Sequence, residues 1–541
     1  MNRRKFLTLA ASAAALRGQA RRRPNILLIV SDDLGFSDLG CYGGEIDTPH
    51  LNGLASNGVQ WTGMYSNARC CPSRASILAG QYSHKVGLGH MTQDLGQPGY
   101  RGRISENAAT IAEVLRPAGY RTFLSGKWHL GTNDPTQRGF EEFFGTLASA
   151  STYWDPARYT RLPAGRKPRS YGTDAFYGTD ALTDYAMDFL GGARQTPDQP
   201  WFLYLAYNSP HFPLQAPRKE IAKYQDRYTS GWDVVREERL ERMKKLGVVP
   251  AGTKLTPRSR YWNSGETKID RNPAWDTLPA DRQADLARRM AIYGAMVDRM
   301  DQNIGRILGE LRTRGQLDNT LLVFLSDNGA CAEWDPFGFD GSSSNNNVLH
   351  TGAELEKMGS PGTYHSAGSG WANASNTPWR LYKHYDYEGG ISSPCIMHWP
   401  EGFQRRGAME TAPAHLIDLM PTIVEAAGAK YPQRIDSREI FPMAGRSLVP
   451  VLHGETLPER TLCFEHEGNR AVREGRYKLT ALRDEPWELY DMGADRTELE
   501  DLAGKHPDVV KALAKKWDAW AAENNVTPLP RDYRVFYMPR R

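Results

Sequence analysis

The chain lacks long apolar runs and has few cysteines, and both shortages exclude classes of protein. Of its 541 residues, 6 are cysteine, too few for a scaffold held together by disulfides. No apolar run approaches the roughly 20 residues that a membrane-spanning helix needs, so we expect no integral membrane segment. Hydrophobic residues make up 40% and charged residues 24%, which is typical of globular proteins. The length predicts one large domain with an added module, or two to three smaller domains.

A strong charge imbalance is also absent once the first 23 residues are set aside. Those residues carry seven Lys and Arg side chains and no Asp or Glu. Without these seven, the 67 basic residues of the chain fall to 60, against 63 acidic ones. The composition therefore gives no support for nucleic-acid binding.

Residues 1–23 have the features of an export leader. Arg3–Leu7 is similar to a twin-arginine motif, Leu7–Leu16 forms a short apolar stretch, and Gly18–Ala20 offers small residues for cleavage. A disordered basic tail is the alternative, and a lipid anchor or an uncleaved leader is also open. We expect an exported protein, periplasmic or extracellular, that leaves the cytoplasm by a twin-arginine route.

Short apolar runs followed at once by polar residues predict a parallel sheet. Such runs suit strands buried on both faces, and helical patterns at Thr110–Arg116 and Ala284–Leu311 lie between them. We therefore predict an α/β fold whose large, mixed but mostly parallel sheet is sandwiched by helices. Ligands of open α/β sheets bind at the carboxyl ends of the strands, where the polar residues would converge. The four runs are Ile26–Val30, Arg121–Leu124, Trp201–Leu205 and Leu321–Leu325.

The pattern changes near residue 430, which divides a predicted catalytic domain at 24–430 from an α+β subdomain at 431–541. Within that subdomain we expect a small antiparallel sheet packed with one helix at Pro507–Ala522. Residues 330–380 are rich in Gly, Ser and Asn, which predicts a long and potentially functional loop insertion. Its residues Tyr364, His365, Trp371 and Trp379 could stack on a substrate ring or anchor local packing. The predicted short strands are Thr461–His466, Arg470–Arg473, Tyr477–Leu482 and Trp487–Asp491.

Cys70–Arg74 concentrates reactive groups at the N-terminus of a predicted helix. Pro72 suits a first helical turn, so Cys70 lies where unpaired backbone N–H groups favour an anion, and Arg74 adds a positive charge. Cys70 could be a nucleophilic thiolate of low pKa or an ordinary buried cysteine. It could also form a metal or redox pair with Cys71, although the two lack the usual C-x-x-C spacing. The pentapeptide alone leaves all three interpretations open.

The Cys-x-Pro-Ser-Arg pattern at Cys70–Arg74 resembles the signature of the type I sulfatases, the formylglycine-dependent, arylsulfatase-like family of the alkaline phosphatase superfamily. Other motifs resemble this family in the same order, over about residues 24 to 500. The resemblance implies that a formylglycine-generating enzyme oxidises Cys70 to formylglycine. Cys71 stands at a variable position of the signature, and its role stays open. The other motifs are Asp32–Gly35, Gly40–Gly44, Gly126–Gly131, Ser209–His211, Ser326–Gly329, Lys383 with Glu388–Gly390, and Asp418–Thr422.

Four oxygen-bearing side chains follow two of the predicted strands. Three carboxylates and one amide would form a hard site suited to Ca²⁺ or Mg²⁺ rather than a zinc site. The resemblance implies one Ca²⁺ per chain. Taken singly, each residue is also explained as a turn or helix-capping residue. The four are Asp32, Asp33, Asp327 and Asn328.

The resemblance also implies how the nucleophile works. The hydrated formylglycine at Cys70 would present two hydroxyl groups, one of which attacks sulfur with Asp327 as its base. His129 would take the proton of the other hydroxyl, so that the aldehyde forms again and sulfate leaves. A plain serine lacks the second hydroxyl and could not complete that step.

The remaining residues implied by the resemblance would bind the sulfate group and assist the leaving oxygen. Arg74 and Lys127 would orient the diol and the metal carboxylates, and Lys127, His211 and Lys383 would bind sulfate. His211, with Lys383, would donate a proton to the leaving oxygen. Taken singly, each Lys is as easily a solvated surface charge and each His a structural hydrogen-bonding group, so the roles depend on the ordered set of motifs.

The predicted function is the hydrolysis of sulfate monoesters, aryl or carbohydrate, with release of inorganic sulfate. One alternative is a phosphate or phosphonate monoester hydrolase that uses the same nucleophile and metal. The other is a non-catalytic protein that binds sulfated glycans, although all the mapped catalytic positions are intact.

Overall fold

A computed structural model of the chain describes residues 22–131, 134–149, 152–172, 176–196, 198–260, 271–333, 336–341 and 347–528. Most of the predicted export leader therefore lies outside the described residues, and its role stays a prediction. Among the described residues, every helix is too short or too polar to span a lipid bilayer.

A ten-stranded sheet forms the centre of the protein, in the order β10-β2-β8-β7-β1-β6-β3-β4-β5, with β9 also paired to β2. The central pairs β7–β1, β1–β6, β6–β3 and β3–β4 are parallel, whereas β2–β8, β7–β8 and β4–β5 are antiparallel. The mixed but mostly parallel sheet predicted from the apolar runs is thus confirmed. Its strands are β1 (Asn25–Asp32), β2 (Val59–Tyr65), β3 (Arg121–Gly126), β4 (Glu142–Gly145), β5 (Thr160–Leu162), β6 (Trp201–Pro210), β7 (Thr320–Ser326), β8 (Ser392–His398), β9 (Ala408–Glu410) and β10 (Ala414–His415).

Helices cover both faces of this sheet. Along β1, Leu27 and Ile29 belong to one buried cluster, while Ile26, Leu28 and Val30 belong to the other, because alternate side chains of a strand point to opposite faces. The helices are α1 (Pro49–Ser56), α2 (Cys70–Ala79), α3 (Ile111–Leu115), α4 (Gly178–Gly192), α5 (Arg218–Ala222), α6 (Gly231–Leu246), α7 (Ala280–Thr313), α8 (Gly352–Lys357), α9 (Ser369–Ser375), α10 (Glu388–Ile391), α11 (Leu419–Ala426), α12 (Val449–Leu452) and α13 (Pro507–Glu523).

The C-terminal residues form the predicted antiparallel sheet, in the order β13-β14-β15-β16, and β11 and β12 form a separate two-stranded ribbon. Helix α13 packs on this sheet, and its Trp517 donates an indole hydrogen bond of 3.0 Å to the carbonyl of Phe464. The small sheet with one helix is confirmed, while the boundary at residue 430 stays a prediction. The strands are β11 (Arg434–Ile435), β12 (Arg438–Glu439), β13 (Leu462–His466), β14 (Asn469–Glu474), β15 (Tyr477–Ala481) and β16 (Glu488–Asp491).

The described part of 330–380 contains two helices and is therefore not simply the expected loop insertion. These helices are α8 and α9, and every residue of α9 is buried. Trp371 is fully buried and Trp379 is 2% exposed, so both pack into the core and neither is available to stack on a substrate. Gly370 of α9 allows close packing, because a Cβ atom there would lie 2.6 Å from the indole ring of Trp232.

A buried arginine on α6 fixes the loop that follows β1. The guanidinium of Arg239 contacts Asp38 at 2.6 Å and Glu45 at 2.7 Å, and Arg239 and Asp38 are fully buried. Asp38 in turn accepts hydrogen bonds from the backbone N–H of Gly35 at 2.8 Å and from the Tyr293 hydroxyl at 2.6 Å. The turn directly after the Asp32 end of β1 therefore depends on this ion-pair network.

Replacing Arg239 by Met should lower the stability of the protein by about 3–5 kcal/mol, because it leaves the fully buried carboxylate of Asp38 without its cation, whereas Glu45 keeps its contact with Arg242 at 3.3 Å. Thermal unfolding followed by circular dichroism measures the loss. Lys244→Met on the same helix is the control, since its ion pair with Glu241 lies at the surface and should contribute about 0–1 kcal/mol. Equal melting temperatures for the two variants would contradict the importance of the network.

Candidate active site

The carboxyl ends of two adjacent parallel strands bring together the predicted oxygen ligands. Strands β1 and β7 pair in register up to Ser31 and Ser326, so the residues that follow them lie side by side. The backbone N–H of Asp33 donates to Asp327 Oδ1 at 3.2 Å, and the side-chain amide of Asn328 donates to Asp33 Oδ1 at 2.7 Å. Asp33 has a φ of 66°, and this turn of the backbone follows directly on Asp32.

The two strands on the other side of β1 contribute basic residues to the same edge. The backbone N–H of Lys127, directly after β3, continues the ladder to the carbonyl of Ala206 on β6. Its ammonium Nζ lies 2.6 Å from Asp32 Oδ2, and both side chains are fully buried. Directly after β6, His211 Nε2 lies 3.4 Å from Asp33 Oδ2.

Helix α2 places the signature residues against this edge. Cys70 is its first residue, and the Cys70 Sγ lies 3.6 Å from His129 Nδ1. One turn later, Arg74 Nη2 lies 2.8 Å from Asp327 Oδ2 and 3.5 Å from Asp32 Oδ1. The helix therefore presents both a reactive residue and a fully buried guanidinium to the carboxylates.

Lys383 completes the cluster from the connection between α9 and α10. Its backbone N–H donates to the carbonyl of Ala330 at 3.1 Å, and its Nζ lies 2.7 Å from Asp33 Oδ2 and 3.8 Å from Glu333 Oε1. Every site residue predicted from the sequence thus lies at one edge of the sheet.

Burial and neighbouring charges shift the pKa values of two carboxyl groups of this cluster in opposite directions. Burial raises the pKa of Asp327 well above its usual range, and the carboxylate of Asp32 adds to the effect. Burial acts in the same direction on Asp32, but Lys127, His211 and Arg74 outweigh it and lower the pKa of that carboxyl below its usual range.

The surroundings of Cys70 favour its ionised form. The hydrogen bond from Cys71 lowers the pKa of the Cys70 thiol well below its usual range, and Lys127 and His129 add to this effect against the opposing effect of burial. Burial lowers the pKa of His129, so its imidazole is neutral. Position 70 is thus an anion-stabilising position beside a neutral base.

The oxygen donors fit a hard divalent cation. Asn328 Oδ1 is buried and accepts no hydrogen bond from the described part of the chain, and the same holds for Asp32 Oδ1. Asp32, Asp33 and His211 each offer one atom for a metal, and these three atoms lie within 4.8 Å of one another. A buried acceptor without a donor is costly, and Ca²⁺ or Mg²⁺ would satisfy it with the ligand type that these ions prefer.

Two neighbours of the site carry no sequence signal that predicts their contact. Arg69 Nη1 lies 2.9 Å from Glu333 Oε1, and Glu333 also approaches Lys383. Arg69 directly precedes Cys70, which is the only hint of its importance in the sequence. Glu333 lies in the segment whose composition predicts a loop, and no local pattern identifies it.

The family of the chain follows from comparison with known proteins. The family model described as Sulfatase matches residues 24–429, and the model of the C-terminal region of N-sulphoglucosamine sulphohydrolase matches residues 378–522. The chain belongs to the sulfatase family. The resemblance to the sulfatases that its motifs indicate is therefore confirmed.

Two relatives and one solved structure show how far the similarity of this sulfatase extends. It is 34% identical to an uncharacterized sulfatase of Schizosaccharomyces pombe, over 95% of this chain and 96% of that protein. It is 32% identical to an arylsulfatase of Klebsiella aerogenes, over 79% of this chain and 92% of that protein. The crystal structure of Ps i-CgsB in complex with k-i-k-neocarrahexaose has the same fold, with a TM-score of 0.65 and 24% identity, over 94% of this chain and 95% of that one.

Gly126 allows the close approach of β3 and β6 that positions Lys127 and His129. A Cβ atom at Gly126 would lie 1.8 Å from the carbonyl oxygen of Ala206, and φ is 129°. We expect Gly126→Ala to lower the melting temperature strongly and to reduce sulfate-ester turnover at least tenfold.

Gly119→Ala is the matched control, because Gly119 precedes the same strand with a φ of 87° and a methyl group added there would meet no atom within 4 Å. It should show only the backbone strain of about 1–2 kcal/mol and keep the activity. Differential scanning calorimetry and assays with p-nitrophenyl sulfate compare the two. Similar losses of activity would refute the role of the close approach.

Proposed function

We propose that this sulfatase hydrolyses sulfate monoesters with a formylglycine nucleophile made from Cys70 and with Ca²⁺ bound by Asp32, Asp33, Asp327 and Asn328. The observation that carries the proposal is the position of Cys70. Cys70 is the first residue of α2 and lies beside the neutral His129. It is also next to a buried cluster in which carboxylates pair with cations. Both the S. pombe relative and the K. aerogenes relative are named as sulfatases, which supports sulfate esters as the substrate class.

The buried ammonium groups supply the anion site. Lys127 and Lys383 each pair with a different carboxylate, Asp32 and Asp33, and an ammonium group has three donors. Each lysine therefore keeps donors for the oxygens of a sulfate group that lies between them. Because the site is buried, these fixed charges would stabilise negative charge more strongly than they would in water.

Cys70 and His129 would carry the nucleophilic half of the reaction. Oxidised to formylglycine by a formylglycine-generating enzyme, residue 70 supplies as its hydrate the hydroxyl that attacks sulfur and a second hydroxyl. His129, held neutral by burial and 3.6 Å from the Cys70 Sγ, is in position to take a proton from that second hydroxyl. Arg74 would orient the carboxyl group of Asp327 towards residue 70.

His211 would serve the leaving group. Its Nε2 lies 3.4 Å from Asp33, the carboxylate that also pairs with Lys383. A protonated imidazole between this carboxylate and the leaving oxygen would donate its proton as the S–O bond breaks. A bound Ca²⁺ would draw electron density from the sulfate oxygens and balance the negative charge of its carboxylate ligands.

The natural substrate is an aryl or carbohydrate sulfate, and the carbohydrate class has support from the fold. Ps i-CgsB, which is similar over nearly its whole length, binds k-i-k-neocarrahexaose. A carbohydrate substrate would also suit a protein exported by its leader to the periplasm or the cell exterior. The formylglycine-generating enzyme would then be its partner before export.

Cys70→Ala should abolish turnover of p-nitrophenyl sulfate, by at least a thousandfold, while the circular dichroism spectrum stays that of the wild type. Cys71→Ala is the matched control, since Cys71 is the buried neighbour of Cys70 on α2 and has no assigned role. It should retain activity within tenfold. Both proteins are expressed together with a formylglycine-generating enzyme.

Three further arms of this experiment separate the proposed function from its alternatives. Preference for p-nitrophenyl phosphate over the sulfate would assign the chain to phosphate or phosphonate hydrolysis. Full activity after removal of calcium by a chelator would contradict the proposed requirement for Ca²⁺. Undiminished activity of Cys70→Ala would refute the nucleophile, and the mass of the peptide that contains residue 70 shows whether formylglycine has formed.

The affinity for Ca²⁺ should rise with pH. Asp327 has a raised pKa in the protein without the cation, so at low pH its protonated form competes with Ca²⁺, and binding must release that proton. Isothermal titration calorimetry in two buffers of different ionisation enthalpy measures the released proton directly. Asp327→Asn should abolish the pH dependence, whereas Asn328→Ala should weaken binding but keep the dependence. The same pH dependence in Asp327→Asn would show that another group titrates.

A further inference from the structure

A second cluster of metal-binding side chains lies between the C-terminal sheet and the main sheet. It comprises His90 from the loop after α2, His384 next to Lys383, and His466 and Glu467 at the end of β13. His384 and His466 are fully buried, and the side chains of His90 and Glu467 are 8% and 5% exposed. Three segments far apart in the chain therefore direct imidazole and carboxylate groups to one buried point.

Possible ligand atoms of His384, His466 and Glu467 lie within 4.8 Å of one another, and His90 contacts the same carboxyl group. Glu467 Oε1 lies 3.0 Å from His90 Nε2 and 3.9 Å from His466 Nε2, and Glu467 Oε2 lies 3.2 Å from His384 Nδ1. Nitrogen and oxygen ligands at about 2.0–2.1 Å from zinc are separated by about 3.3 Å in a tetrahedron. The distances from Glu467 to His90 and to His384 are within a few tenths of an ångström of that value, and the distance to His466 is longer.

His466 gives independent evidence for a ligand. Neither nitrogen of its ring has a hydrogen-bond partner among the described residues, although the residue is 0% exposed. An imidazole has two polar nitrogens, and leaving both unsatisfied in the interior is costly. A metal ion bound to one of them would offset that cost.

The charges around the cluster are also compatible with a bound cation. The nearby cations are already paired, since Arg69 contacts Glu333 at 2.9 Å and Lys383 contacts Asp33 at 2.7 Å. Glu467 contacts three histidines at the distances given above, so its carboxyl group faces imidazole rings. Three nitrogens and one carboxylate oxygen suit a zinc-type ion, whereas the Asp and Asn oxygens at the ends of β1 and β7 suit Ca²⁺.

We propose that His90, His384, His466 and Glu467 bind a divalent transition-metal ion of the zinc type, at a site separate from the calcium site. The ion would join the C-terminal sheet to the segment that carries Lys383. The backbone N–H of His384 donates to the carbonyl of Ala68 at 2.7 Å, and Ala68 lies just before α2 in the chain. The same ion would therefore also stabilise the position of the segment that leads into α2. This site does not depend on the function proposed above.

The test uses the full-length, tag-free protein, treated with a chelator and then supplied with Ca²⁺ in excess and with Zn²⁺. Mass spectrometry of the metals should find one equivalent of zinc that Ca²⁺ does not displace. Replacing Zn²⁺ by Co²⁺ should produce the intense visible absorption of a tetrahedral site. Glu467→Gln and His466→Ala should each weaken Zn²⁺ binding at least tenfold in calorimetry.

Two control variants separate this site from others. His453→Ala removes an exposed histidine and should leave zinc binding unchanged. Asp33→Asn, in the calcium cluster, should reduce calcium and leave zinc at one equivalent. Wild-type protein that binds no zinc, or both cluster variants binding it with unchanged affinity, would overturn the proposal. Should His466→Ala fail to fold, the near-isosteric Glu467→Gln and the cobalt spectrum of the wild type decide.

Discussion

The burial of opposite charges at the carboxyl ends of β1, β3 and β7 is the constraint on which the rest of the site depends. Lys127 faces Asp32, Arg74 faces Asp327 and Lys383 faces Asp33, and all six side chains are almost completely buried. Each of these charges would be strongly unfavourable alone, because burial removes its hydration. The strands, α2 and the segment before α10 must therefore come together as one unit, and the core on both faces of the sheet supplies the stability for it.

The sequence predicts the parts of this arrangement that have a local pattern. A continuous apolar run followed by Asp, Lys or His indicates a strand that is buried on both faces and ends at functional side chains, as β1 and β3 do. Parallel pairing then places those ends together, so the composition of the site follows without knowledge of the strand order. The roles assigned to individual residues, such as His211, depend on the family motifs and stay predictions.

Other features depend on contacts between distant segments and have no local pattern. Arg239 lies on α6, more than 190 residues beyond Asp38 and Glu45, and nothing in its neighbourhood distinguishes it from the other basic residues of that helix. Glu333 is a similar case. The Gly- and Ser-rich segment near α9 predicts a loop because small residues usually mark turns, but here they allow backbone and indole rings to pack closely.

Under the proposed function, the burial of Cys70 would impose an order on the modification and the folding of the protein. Cys70 is 1% exposed once α2 has packed against the sheet, so an enzyme that modifies its side chain can reach it only in a chain that is still open. The ends of β1 and β7 that meet at Asp33 and Asp327 lie 294 residues apart in sequence, and contacts of such long range form slowly. The time that the sheet needs to assemble is then also the interval available for modification. The fraction of active molecules would be set by a competition between two rates, and a chain that folds first would keep its thiol permanently.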